Sequence, residues 1–505
     1  MAADAITPTT TTKQQDTSGS ASLSTTESLQ EKPISKDAPP LTPGEWKRLR
    51  WRLDLRIVLL FALLYMWSAM DRSNIGNAKL GNILEDLDIP DSTYNVGMSI
   101  FFIGYIIFQV PSNLVLKKIG PNLWMSLLVT FTGIIVACSA AIKNGAGLLA
   151  VRFFLGIAET GLFPGTVYYF SIWYTRREQG KRFSIYYASA AVAGAVGGLL
   201  AYGIMRMDGV RGMHGWQWLF LLEALPTIIL GIATFFILPG FPSTSKALNE
   251  RERASLMKRL ETDWAAAAAG EDDTKSPMSE IRAAFTDWKM YHMAFTCFFG
   301  SSVFYGLTLF LPSIVRDMGF ANLEAQAMTV PPYVIACIFM ILLGTDADRR
   351  VERGFHVAGS SFVGMLGFIL LAACHDKGPV ALYIFACMAV AGAYSQFSVF
   401  ITWASNNFAG RTKRAIATAF IAAGGNIGGA IAGQIYRAND APQYIRAHSV
   451  CAAFLCCHVI LVLLLKYMLH RINKQRDNMS IDKYDAACKR YEQASDWHPD
   501  FRYIT

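Results

Sequence analysis

Charged side chains are scarce in this chain. Asp, Glu, Lys and Arg make up 17% of 505 residues, where a soluble domain carries about 25%. The apolar residues are clustered into long runs and mean hydropathy is +0.30, which excludes an ordinary soluble globule. A G-x-x-x-x-G-K-[ST] stretch is missing, so an ATP-driven pump of the P-loop kind is excluded. The nine cysteines follow no spacing pattern, and Cys138, Cys297, Cys337, Cys387, Cys456 and Cys457 lie inside apolar runs. They are expected to be free small hydrophobes, with neither a disulfide framework nor a metal site. No enzyme or cofactor signature is present. A cleavable signal peptide is also missing, so the first apolar run is expected to act as an uncleaved insertion signal.

What the chain does have is about twelve runs long enough to cross a bilayer, which takes about 20 mostly apolar residues each. They lie near 54–76, 92–116, 121–142, 146–170, 181–205, 216–238, 289–313, 325–345, 355–374, 379–403, 413–436 and 449–470. A polar insert, 240–287, splits them six and six, and its EIRAAFTDW stretch reads as a short amphipathic helix. The expectation is an all-α polytopic membrane protein with twelve transmembrane helices in two six-helix halves. Residues 1–45 form a disordered tail that either solvates or is modified for turnover. The N-terminal half is 46–239, the central loop 240–287, the C-terminal half 288–470, and a C-terminal tail 471–505.

The net charge of +8 is not a nucleic-acid footprint, because the basic residues are spread over short loops. They alternate. Lys117 and Lys118, then Arg176, Arg177, Lys181 and Arg182, then Arg349, Arg350 and Arg353, then Arg411, Lys413 and Arg414 fall in one set of loops. The positive-inside rule puts that set, and both termini, in the cytosol. Glycines recur in similar steps in the fifth run of each half, at Gly194, Gly197 and Gly198 and at Gly425, Gly428 and Gly429. With the six-and-six split this favours two parallel repeats about an axis along the membrane normal, the plan of a major facilitator transporter.

Four full charges stand out within the first and fourth apolar runs: Asp71 and Arg72 in the first, Arg152 and Glu159 in the fourth. Each costs about 2.5–3.5 kcal/mol near the bilayer centre on insertion scales, so they are expected to face a cavity and touch a substrate, an ion or a proton. Arg152 and Glu159 share a helix face about 10 Å apart and need partners on other helices; an Asp71–Arg152 contact is expected. Gln109, Asn113, Gln396 and Asn426 are candidates to line the cavity. Tyr65, Tyr168, Tyr305 and Trp403 are candidates to stack on a planar ring. Glu223 reads as a structural partner for the Arg206–Arg211 side, and His292 and His458 as structural histidines.

DRSNIGNAK after the first run, VPSNLVLKKIGP after the second, VRFFLGIAETGLFPGTVYYFSIWYTRRE in the fourth, HGWQWLFLLEALPTI in the sixth and NNFAGRTKRAIATAFIAAGGNIGG around the eleventh resemble the anion:cation symporter family of the major facilitator superfamily. The likeness is to its fungal allantoate and nicotinate permease branch and covers roughly residues 45–475. The superfamily's G-x-x-x-D-R gating loop is intact at Gly344, Asp348 and Arg349, whereas the first half has Lys117 and Lys118 there. The resemblance implies that Asp71 and Glu159 are proton sites and that Arg72 is a carboxylate clamp. Read from the residues themselves, Arg152, Gln109, Tyr305, Gln396 and Asn426 are further candidate substrate contacts, Arg152 mainly as an orienting partner. The resemblance also implies proton-coupled uptake of a small organic carboxylate such as nicotinate, allantoate or pantothenate by alternating access, with the plasma membrane as default location. The partners expected are a small organic anion, protons and the lipid bilayer, with no nucleic acid and the protein acting as a monomer. Two alternatives stand: an efflux carrier for a secondary metabolite, and a non-transporting nutrient sensor, disfavoured by the short tail after residue 470.

Overall fold

A computed structural model describes residues 39, 41–243, 245, 247–268, 277–409, 411–490 and 496–505. Twelve long helices carry the chain. They are α1 (Pro43–Leu80), α2 (Asp91–Ile119), α3 (Pro121–Ser139), α4 (Gly145–Trp173), α5 (Arg176–Ile204), α6 (Gly215–Ile237), α7 (Trp288–Asp317), α8 (Val330–Arg350), α9 (Gly354–Ala373), α10 (Pro379–Asn406), α11 (Arg411–Ala432) and α12 (Ile445–Asp477). Ten regions among the described residues are long and apolar enough to cross a membrane; α2 and the shorter apolar stretch of α11 complete the twelve. Most of the expected disordered tail, 1–45, lies outside the described residues, but its last three residues are helical.

 Helix α1 starts at Pro43 because Thr42 and Glu45 form a capping box: the Glu45 amide donates to Thr42 Oγ1 (3.4 Å), and the Thr42 amide donates to Glu45 Oε2 (2.8 Å). The central insert contains the expected short helix, Pro277–Phe285, and a longer one, Glu250–Ala268, that its composition did not announce. The longer helix is tied to α1 by Arg52–Glu252 (2.7 Å) and Arg251–Glu45 (3.1 Å). All nine cysteines are free.

Helix α4 is not one continuous rod. Its helical runs are Gly145–Glu159 and Leu162–Trp173, and the break falls at Thr160–Gly161. Pro164 has no N–H to give to the Thr160 carbonyl four residues back, which removes one rung of the helix at that point. The charged residue Glu159 therefore sits at the end of a half-helix.

The first six helices pack into one half and the last six into the other, and α7 and α10 are the most buried of the candidate spans. The start of α1, the described parts of the central insert and residues 496–505 lie at one end of the bundle, the tail end. Four hydrogen bonds join the halves at the opposite, far end. Ser99 Oγ donates to the Ala430 carbonyl (2.7 Å), Gln434 Nε2 to Ser99 Oγ (3.2 Å), Asn95 Nδ2 to the Tyr436 carbonyl (3.5 Å) and Gln326 Nε2 to the Asn77 carbonyl (3.5 Å). The repeated glycines explain how the backbones come so close. A Cβ at Gly198 on α5 would lie 2.6 Å from the Gln326 carbonyl oxygen beside α8, and one at Gly429 on α11 would lie 2.3 Å from the Phe102 ring on α2. Small residues at these two symmetry-related crossings let the helices touch.

At the tail end, residues 496–505 are packed against the second half. Asp496 accepts from Lys413 Nζ (2.6 Å) and from Lys289 Nζ, and Asp287 completes the cluster with Lys413 (2.7 Å) and Lys289 (3.3 Å). Trp403 Nε1 and Asn407 Nδ2 both donate to the Ile504 carbonyl (2.7 and 3.1 Å), so Trp403 anchors this segment instead of lining a cavity. Burial alone would raise the Asp496 carboxyl, but the Lys289 and Lys413 ammoniums outweigh it and hold the group below its ordinary range.

Two outcomes follow from this packing. With Ser99→Cys and Ala430→Cys in a background lacking the native cysteines, oxidative cross-linking should be efficient, and adding Gly429→Leu should cut its yield several-fold by wedging the far end open. Asp496→Asn leaves two buried ammoniums facing one carboxylate, a loss of about 3–5 kcal/mol for a broken buried pair, so the C-terminal segment should become protease-sensitive. A carboxyl held low contributes stability above its unfolded pKa, so wild-type protection should be present at neutral pH and lost only as pH falls below the ordinary Asp range of about 3.9.

Candidate functional site

The four charges meet inside the first half, but not in the expected pairs. Arg72 on α1 donates to Glu159 on α4 through Nη2 (2.6 Å) and Nε (3.2 Å), both to Oε2. Its guanidinium lies over the rings of Phe101 (5.1 Å), Tyr105 (5.9 Å) and Tyr305 (5.9 Å). An arginine held by aromatic faces and one carboxylate keeps its planar fork oriented. The α4 break places Glu159 where a neighbouring helix can reach it, and Thr160 Oγ1 donates to the Tyr105 carbonyl (2.5 Å), which fixes the break against α2.

Asp71 does not pair with Arg152. It accepts from Thr227 Oγ1 on α6 (3.1 Å), while Arg152 Nη1 reaches the Arg72 carbonyl (3.5 Å). Glu223 does not face Arg206 or Arg211 either: it accepts from Asn74 Nδ2 on α1, and Arg206 donates to Tyr202. Adjacent residues on a helix point about 100° apart, so Asp71 and Arg72 must face different neighbours. The sequence signal for Glu223 was its charge in an apolar run; its partner could not be read without the α1–α6 crossing.

Two cavities flank the Arg72–Glu159 pair. The larger, with about 370 Å³ of empty space, lies between the halves; Tyr65 and Arg72 line it from the first, and Phe304, Tyr305, Thr308 and Tyr394 are among its residues from the second. Tyr65 stacks on Tyr186 at 4.3 Å, and the Thr308 and Tyr394 hydroxyls lie 2.7 Å apart. The smaller, with about 220 Å³, lies within the first half and is lined by Ser68, Thr132, Glu159 and Thr227. Glu159 therefore stands between the two.

The other candidates are dispersed. Of Gln109, Gln396 and Asn426, all are buried but none lines either cavity. Gln396 donates to the Ala393 carbonyl (3.2 Å) and packs near Gly300. The Asn113 side chain lies outside the described residues. Tyr168 is partly buried, packs against the apolar core and is not among the residues lining either cavity. His458 meets Ser361 (3.0 Å) and His292 meets Thr296 (3.4 Å). Gly344, Asp348 and Arg349 end α8 at the tail end; Asp348 accepts from Arg353 Nη2 (2.8 Å), and Arg349 is exposed. Thr308, Tyr333 and Tyr394 line the larger cavity without having been singled out in the sequence, because tyrosines and threonines in apolar helices carry no signal of their direction.

Comparison with known proteins fits this geometry. The model of the Major Facilitator Superfamily matches residues 61–433. An uncharacterized transporter of Schizosaccharomyces pombe is 35% identical over 89% of both chains. The MFS transporter prlL of a fungal species is 35% identical, covering 85% of this chain and 86% of its own. The MFS-type transporter cnsO of Penicillium expansum is 34% identical, covering 79% and 78%. Among solved structures, a bacterial homolog of the human lysosomal transporter Spinster aligns with a TM-score of 0.61 at 14% identity, covering 81% of this chain and 96% of that one. The xylose transporter XylE from E. coli aligns at 0.59 and 14%, covering 82% and 97%. The chain belongs to the Major Facilitator Superfamily: it is a multi-pass membrane transporter, not an enzyme.

Proposed function

We propose that this transporter moves a small organic anion with a planar or aromatic part, linked to protons, through the cavity between its halves. The observation that carries the reading is the 2.6 Å Arg72–Glu159 pair at the cavity wall. A substrate carboxylate and Glu159 compete for the same guanidinium. A proton on Glu159 releases Arg72, which then holds the anion bidentately. Proton and anion thus favour each other's binding, the thermodynamic requirement for moving together. The tyrosines of the cavity wall offer faces to a ring and hydroxyls to polar substituents. Asp71, held by Thr227, is the second proton site in this reading.

The basic loops support cytosolic termini, in the plasma membrane by default. With that orientation the close contacts at the far end correspond to a carrier sealed toward the outside. The anion:cation symporter family and its allantoate and nicotinate branch remain the finer assignment we favour from the motifs. A second reading concerns direction and cargo: export of a secondary metabolite. The fungal relatives named MFS transporter prlL and MFS-type transporter cnsO are what support this second reading.

Untargeted metabolite profiling of a deletion strain separates the two. Export predicts that an organic anion accumulates in cells and disappears from the medium; uptake predicts the reverse, and unchanged pools of organic anions would count against the anion reading. For the compound so identified, Arg72→Gln should weaken binding by about 2–5 kcal/mol, roughly 30-fold or more. Glu159→Gln should keep counterflow exchange in proteoliposomes but lose accumulation driven by a pH gradient. Retained pH-driven accumulation would remove Glu159 from the coupling mechanism.

A further inference from the structure

The two buried charge clusters of this protein differ in their balance. At the tail end, Asp287 and Asp496 face Lys289 and Lys413, two acids against two amines. In the first half, Asp71, Glu159 and Glu223 face only Arg72 and Arg152 among the described residues. Relative exposures are 1%, 2% and 1% for the acids and 4% for Arg152, and the Arg72 side chain is 13% exposed. With all five ionised, this cluster carries one uncompensated negative charge inside an apolar bundle, an arrangement that buried groups relieve by taking up a proton or a cation.

The contacts indicate which acids share the excess. Glu159 is taken by Arg72. Asp71 and Glu223 receive neutral donors, Thr227 Oγ1 and Asn74 Nδ2. These make two rungs between the same helices: Asp71 and Asn74 are three apart on α1, Glu223 and Thr227 four apart on α6, so each rung lies about one turn from the other. The Thr227 hydroxyl also lies 3.2 Å from the Glu223 carbonyl; its single proton serves one acceptor at a time. Asp71 Oδ1, Glu223 Oε1 and Arg152 Nη2 have no hydrogen-bond partner among the described residues; nor has the second oxygen of Glu159, Oε1, whose Oε2 is held by Arg72. Nor has Ser68 Oγ, itself only 4% exposed as a residue and part of the smaller cavity beside Thr227 and Glu159. The other titratable groups that act most strongly on the two arginines are the phenols Tyr65, Tyr94, Tyr105 and Tyr305, a residue type that is ordinarily neutral near pH 7.

We propose that Asp71 and Glu223 hold one proton between them, which makes Glu223 an acid of the transport cycle and the α1–α6 crossing a proton-binding site. The step is simple protonation: a carboxylate takes H⁺ from water on one side of the membrane and returns it on the other. This inference rests on the reading of the chain as a proton-linked carrier and adds a third acid to it.

The test is infrared spectroscopy of the purified full-length protein in lipid, in sodium-free buffer at neutral pH, reading the C=O stretch of a protonated carboxyl, with H₂O to D₂O exchange to identify it. Wild type should show the band. Asp71→Asn and Glu223→Gln should each abolish it, because removing either acid restores charge balance. Arg152→Gln should enlarge it by about one further carboxyl, since the acid excess rises from one to two. A wild-type protein without the band overturns the proposal. A band lost in Asp71→Asn but kept in Glu223→Gln also overturns it, while leaving Asp71 and Glu159 as coupling acids. If Glu223→Gln is not monodisperse, Asn74→Ala and Thr227→Val, which each remove one donor and no acid, are read instead. Each should shift the band, and a band unmoved by both overturns the proposal.

Discussion

The structure is organised by the cost of burying charge in an apolar bundle. Arg72 and Glu159 form the central case: a guanidinium and a carboxylate drawn from different helices, 2.6 Å apart, with three aromatic rings around the arginine. Neither helix could carry its charge alone without several kcal/mol of desolvation. The pair therefore ties α1 to α4 and fixes both at the wall of the cavity. Its position puts the pair within reach of the cavity, and in the function we propose an anion arriving there offers Arg72 an equivalent partner.

Around that pair the two halves play different parts. The first half supplies the formal charges, and the second supplies rings and hydroxyls through Phe304, Tyr305, Thr308, Tyr333 and Tyr394. The halves meet at the far end through backbone-close crossings at Gly198 and Gly429, where contact depends on the absence of a side chain. The tail-end cluster around Lys289 and Asp496 is the contrasting design: balanced charges, fully buried, holding one half together.

Much of the architecture was legible from composition. Twelve apolar runs, a central polar insert and Gly-rich fifth helices in each half read directly as a six-plus-six bundle, because a bilayer demands about 20 apolar residues per crossing. The interrupted α4 was less visible: Pro164 signals a weakened rung, yet the run reads as one span. The packed C-terminal segment was not legible at all, since Asp496, Tyr503 and Ile504 find their partners on α7, α10 and α12, more than 25 residues away in sequence.

By itself the sequence determined the helix count, the division into halves and the identity of the costly residues Asp71, Arg72, Arg152 and Glu159, because hydrophobic length and charge within it are local properties. Which of those charges pair was decided only by the tertiary structure. Arg72 took Glu159, Asp71 took Thr227, and Glu223 took Asn74. A helix turns about 100° and rises 1.5 Å per residue, so one step along α1 changes the neighbouring helix a side chain meets. That choice is set by how the helices cross, which no single run encodes.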